Sequence, residues 1–317
     1  MEILQAGLTL HLLMNGNRSY TRYTWFVLIM IFLVILAGGV VRTTQSGMGC
    51  PDWPTCFGRW IPPTSVKDLP ADYEKYLRKQ DIDHTFNALH TWIESVNRYL
   101  GALLGIFCII HLVWSFRRFF RTRPAIFWWS LFMLLATGFQ GWLGKRVVDA
   151  NLAVVKITTH MLVALVIAAV PVIILTLLKG QRAIASPVLK KGAIAVLLLV
   201  IVQIVLGTDV REQIDEVSKP LGYEHRELWL NNLDIMFLVH RSLSWLVVLS
   251  IGWLWWKSRS YALLAGHRAL MLAVTVIVLG AGLVMYFFHM PAAMQPVHLL
   301  SASILSITLF SFRLQLK

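Results

Sequence analysis

Residues 24–41 read TWFVLIMIFLVILAGGVV and are followed by Arg42. No charge interrupts the run. At 1.5 Å per residue a helix of this length extends roughly 27 Å, close to the thickness of a bilayer's hydrocarbon core, about 30 Å. Seven further runs of the same kind lie near Thr91–Phe116, Ala125–Gly144, Val154–Leu178, Gly192–Thr208, Ile235–Trp256, Ala269–Phe288 and Val297–Leu314. Of the 317 residues 57% are hydrophobic and 14% charged, where a soluble domain carries about a quarter charged residues. In lipid each run must satisfy its own backbone hydrogen bonds, which selects helices. The sequence predicts an all-α membrane protein with eight transmembrane helices.

The net charge of +13 is a topology signal rather than a nucleic-acid footprint. Arg18, Arg22, the segments Arg117–Arg123, Lys179–Lys191 and Lys257–Arg268, and the tail with Arg313 and Lys317 hold 15 of the 29 basic residues and one acid, Glu2. The remaining acids lie in the alternate connections or, for Glu94, inside a span. The positive-inside rule then places both termini in the cytoplasm of a bacterial inner (plasma) membrane. The connections Arg42–His90, Lys145–Ala153, Asp209–Asp234 and His289–Pro296 face outward. Met1–Tyr23 lacks an apolar core with a small-residue cleavage site, so the first span is expected to act as an uncleaved insertion signal. Cys50 and Cys56 fall in the first outward loop, flanked by Gly and Pro. Two cysteines on an oxidising face predict a disulfide closing a small loop, and two thiols without partner ligands make a poor zinc site. Cys108, within the second span, is expected to be buried and inert. A short surface helix is expected near Asp72–Lys79.

The chain divides near Lys179–Lys191 into residues 1–185 and 186–317, four spans each. The halves echo one another. Gly38 to Arg42 at the end of the first span matches Gly207 to Arg211 at the end of the fifth. Val96-Asn97-Arg98 in the second matches Val239-His240-Arg241 in the sixth, and His160 in the fourth matches His298 in the eighth. Four spans per half give both the same orientation, which predicts two pseudo-symmetric four-helix bundles related by an axis along the membrane normal.

Ionisable groups inside spans are costly and are functional candidates by default. Here they are Glu94, Arg98, His160, His240, Arg241 and His298, all within about two turns of an outer span end, with His111 deeper. Imidazoles on two helices of a bundle can sandwich a porphyrin, so His240 and His298 are candidate axial haem ligands; the bland alternative is a pair of packing histidines. In the first half Asn97 replaces His240. His160 alone would hold a porphyrin there and leave one iron face open, unless His84 or His90 supplies a substitute ligand. Glu94 and Asn97 share a helix face, and Glu94 is a candidate for proton transfer or, alternatively, an i, i+4 ion-pair partner of Arg98. Arg98 and Arg241 are candidate partners for haem propionates, since guanidinium forks bind carboxylates bidentately.

The run from Gly38 to Gly58, GGVVRTTQSGMGCPDWPTCFG, resembles the first-loop signature of the haem A synthases. The segment from Glu94 to Gly101 resembles their second-helix motif, and His160, His240-Arg241 and His298 match the family histidines. The resemblance implies oxidation of the C8 methyl of haem O to the formyl group of haem A by successive hydroxylations, serving cytochrome oxidase biogenesis. It implies a haem b held by His240 and His298, a substrate haem O held by His160, and a required acid at Glu94. Implied partners are haem O synthase (protohaem farnesyltransferase) and an electron donor whose identity the sequence leaves open, as it does a homo-oligomeric state. Asn97 stands where many members carry histidine, and Asp209–Asp234 lacks a cysteine pair that some carry. The rival readings are a quinol-linked cytochrome b-type electron carrier, which needs two bis-histidine haems or a quinone site, and a haem transporter, which needs a polar path across the membrane.

Overall fold

The computed structural model describes residues 2–74, 85–149, 154–180, 183–231 and 233–317. Its long helices are α1 (Glu2–Thr43), α2 (Ala88–Phe119), α3 (Pro124–Asp149), α4 (Val154–Lys179), α5 (Pro187–Ser218), α6 (Ile235–Lys257), α7 (Ala265–Phe287) and α8 (Met294–Leu314). Each contains a stretch long and apolar enough to cross a membrane, eight in all among the described residues. This is a multi-pass membrane protein. Its outer surface carries large apolar side chains such as Leu135, Trp245, Leu249 and Phe287, a pattern stable in lipid and unstable in water. His84 and most of the Asp72–Lys79 stretch lie outside the described residues.

Caps set the helix starts. Asn87 accepts from the Leu89 and His90 amides, Ser186 from Leu189 ahead of Pro187, and Asp234 from Met236, each satisfying amides a first helical turn leaves bare. One connection differs from the sequence reading. The segment following Thr208 continues α5 as helix to Ser218. Hydropathy ends the span there, but Gln213 bonds Asp209 and Arg211 pairs with Asp215, both at i, i+4, and these hold the polar extension helical.

The packing order repeats. α1 packs on α2, α2 on α3, α3 on α4 and α4 back on α1; α5 to α8 follow the same cycle. α1 and α4 also pack on α8, and α4 on α5, joining the two sets. One buried core (Tyr20, Val27, Leu104, Met133, Ile174) fills the first set and another (Val196, Val200, Ile251, Met271, Phe312) the second. The connection at Ile184 pairs with the chain end through Gln315 and Lys317. The described part of the Arg42–His90 loop packs on α1 and α2 and contains the Cys50–Cys56 disulfide.

Candidate functional site

α6 carries His240 and α8 carries His298, and their ring centroids lie 6.4 Å apart in an edge-to-face arrangement. Metal–imidazole bonds run about 2.0–2.1 Å and a ring centroid lies about 1.1 Å beyond its ligating nitrogen, so two rings gripping one iron have centroids about 6.3 Å apart. The observed spacing fits. Axial rings rotate freely about a shared axis, so the interplanar angle of 60° is compatible. His298 Nδ1 donates to the Val278 carbonyl at 2.8 Å, which leaves Nε2 as the lone-pair nitrogen. Among the described residues no three His, Cys, Asp or Glu side chains converge on one point. Two imidazoles without further protein ligands match a metal whose other four ligands come from a porphyrin.

Glycines seat these rings. A Cβ at Gly207 of α5 would lie 3.1 Å from His240 Cε1, and one at Gly282 of α7 would lie 3.4 Å from His298 Cε1. Four residues before Gly207, Gln203 donates from Nε2 to the His240 carbonyl at 2.7 Å. His160 on α4 is held the same way. A Cβ at Gly144 of α3 would be 3.4 Å from its Cε1, and Gln140 donates to the His160 carbonyl at 2.8 Å. The Nδ1 atoms of His160 and His240 are buried without a hydrogen-bond partner. A buried imidazole nitrogen is rarely left so unless the ring serves another group. His111 is different. It is fully buried on α2, with Nδ1 3.3 Å from the Tyr20 hydroxyl and Nε2 3.1 Å from that of Thr24, a satisfied core histidine. Sequence reading missed the glycine seats, although the repeated Gln-x-x-x-Gly in Gln140–Gly144 and Gln203–Gly207 was a signal for two of them.

Glu94 and Arg98 of α2 are turned toward the disulfide loop. Glu94 is 3% exposed; its Oε2 accepts from the Cys50 amide at 2.7 Å and its Oε1 meets Arg98 Nη2 at 2.5 Å. The Arg98 guanidinium also donates to the carbonyls of Asp52 (2.6 Å), Thr55 (3.0 Å) and Cys50 (3.1 Å). Its contacts are with the loop and Glu94, so Arg98 anchors the loop over the helix ends. Gly49 makes that approach feasible, since a Cβ there would lie 2.5 Å from the His90 carbonyl carbon. Arg241 is exposed, with its guanidinium carbon 5.5 Å from the Tyr286 ring centre and no ion pair among the described residues. It is free to meet an incoming carboxylate. Between the two sets, Arg42 donates to Asp215 at 2.6 Å, and Arg211 forms an ion pair with the same carboxylate at 2.7 Å.

The family model described as cytochrome oxidase assembly protein (COX15-CtaA) matches residues 21–310, from the first span to the last and including each site residue above. The chain belongs to that family. Among curated relatives, heme A synthase of Nitrosomonas eutropha is 26% identical over 314 residues, covering 87% of each chain. Heme A synthase of Sphingopyxis alaskensis is 27% identical over 296 residues, 82% of this chain and 80% of that one. Heme A synthase of Shewanella oneidensis is 29% identical over 191 residues, 58% of this chain, and the match spans 55% of that relative's length. The matched range contains His160, His240 and His298.

Proposed function

We propose that this chain oxidises the C8 methyl of haem O to the formyl group of haem A by successive hydroxylations. The chain is then two four-helix halves, residues 1–185 and 186–317, related by an axis along the membrane normal. The C-terminal half holds a haem b between His240 and His298, and Arg241 meets a propionate. The N-terminal half holds the substrate haem O through His160. The observation that carries the reading is the 6.4 Å pair of imidazoles on one half against a single glycine-seated histidine on the other.

Bound haem supplies the redox chemistry, and the protein's residues position and shield it. His298 is fixed in one tautomer by Val278. Gln140 and Gln203 hold the backbone of His160 and His240 at the depth of their glycines. Glu94 is the one carboxyl buried on the inner face of α2; it holds the loop shut and is positioned to pass a proton when the Arg98 contact opens. The positive-inside pattern supports an orientation with this loop end outward and both termini in the cytoplasm of a bacterial inner membrane. Haem O synthase is the expected source of substrate. The family and its heme A synthase relatives support this reading over a cytochrome b-type carrier, for which Asn97 denies the N-terminal half a matching second ligand.

The test is extraction of haems from the protein expressed in cells that supply haem O, followed by mass identification. Haem O or haem A beside haem b is expected, and His160→Ala should abolish haem A formation. Two equivalents of haem b with neither haem O nor haem A would overturn the proposal in favour of the carrier.

A further inference from the structure

Asn97 stands in the N-terminal half where His240 stands in the C-terminal half. Arg42 lies at the end of α1 and Arg211 within α5, and both meet the carboxylate of Asp215; in the sequence Gly38 lies four residues before Arg42 as Gly207 lies four before Arg211. α1 packs on α2 as α5 packs on α6, and Asn97 of α2 takes the place of His240. At Gly207 an added Cβ meets the His240 ring at 3.1 Å; at Gly38 it meets nothing within 4 Å. Asn97 Oδ1 is buried and has no hydrogen-bond partner, a demand that costs about 1–3 kcal/mol if nothing ever meets it. His90 does not fill the gap. It lies seven residues earlier on α2, roughly 10 Å along the helix axis, with its backbone against Gly49.

Resting on the haem reading above, we infer that the space between Gly38 and Asn97 is a pocket for a small diatomic or water-sized ligand on the free face of the His160-held haem. Asn97 is the positioning residue that hydrogen-bonds whatever enters. The amide can both donate and accept, so it can serve a bound ligand through Nδ2 and satisfy Oδ1 with water. An imidazole at this position would occupy the ligand's place.

Carbon monoxide is the probe, added to the reduced, haem-loaded full chain in detergent. The wild type should bind one carbon monoxide per two haems, because the His240–His298 haem has no free face. Asn97→His should bind both haems yet weaken carbon monoxide binding by at least about tenfold, with a gain of six-coordinate low-spin signal. Asn97→Leu should keep carbon monoxide binding and shift the bound C–O stretching frequency upward through loss of the amide donor; this variant decides the matter if Asn97→His loses haem. A wild type that holds two haems but takes up no carbon monoxide, or a stretching frequency unmoved in Asn97→Leu, overturns the inference and leaves the haem reading standing. A wild type holding one haem, lost in His240→Ala, overturns both.

Discussion

Glu94 and Arg98 sit one turn apart on α2, joined at 2.5 Å, and together they grip the backbone of the disulfide loop at Cys50, Asp52 and Thr55. The ion pair expected from i, i+4 spacing is therefore also a clasp, and its carboxyl is the candidate acid. Arg98→Ala should release the loop. Removing one partner of a buried pair costs about 3–5 kcal/mol at the fully buried limit, and less here because the Arg98 side chain keeps 15% exposure. Limited proteolysis should then cut within residues 46–60. Glu94→Gln keeps an acceptor for the Cys50 amide, so the loop should stay closed while haem A formation stops. Full activity in Glu94→Gln would reduce Glu94 to the clasp alone.

Gly207 is the tightest of the histidine seats. Gly207→Leu should displace His240 and remove the haem b absorbance, with the His160 site still loaded. Gly282→Ala meets His298 at ordinary contact distance, 3.4 Å, and should retain haem b. Haem quantitation on the purified variants measures both.

His111 belongs to the core of α1–α4. His111→Leu leaves the Thr24 and Tyr20 hydroxyls short of one partner, though Tyr20 keeps Ser130 and Thr24 keeps the Tyr20 carbonyl. A loss of about 1–3 kcal/mol is expected, seen as a lower thermal midpoint, with haem content unchanged.

Asp215 links α5 to α1 through Arg42. The three side chains are 15–30% exposed, so salt screens them in part. Asp215→Asn should cost about 1 kcal/mol, and the gap from wild type should narrow as ionic strength rises.

Asp68 is exposed in the Arg42–His90 loop, and the hydroxyls and amides of Thr64 and Ser65 hold its carboxylate below its ordinary value of 3.8. The ionised form is the one favoured in the fold. The turn it caps is fully supported above pH 3.8 and loosens as pH falls through the lowered folded value. Amide exchange at Thr64 and Ser65 should stay slow at neutral pH in the wild type and quicken in Asp68→Asn, with the two proteins converging once pH falls below the lowered folded value.

How much of this was legible beforehand follows from where each signal resides. The eight apolar runs reappear as α1–α8, with ends displaced where side-chain bonds continue a helix past its apolar stretch, as Arg211–Asp215 does in α5. The Cys50–Cys56 disulfide was legible because Gly and Pro around two nearby cysteines leave few other outcomes. The candidate site was half legible. His160, His240 and His298 stood out by depth, but Arg98 was expected to face a propionate and instead faces the loop. Nothing in the sequence separates those two directions.

The chain's composition and periodicity determined by themselves that it lies in a membrane, how many times it crosses, and at what depth its imidazoles lie, because these properties are set within each helix. The tertiary structure decided which rings meet, which glycines lie beneath them, and which charges turn to the loop. Those depend on rotations of one helix against another, which are fixed by packing across the bundle and leave no local mark.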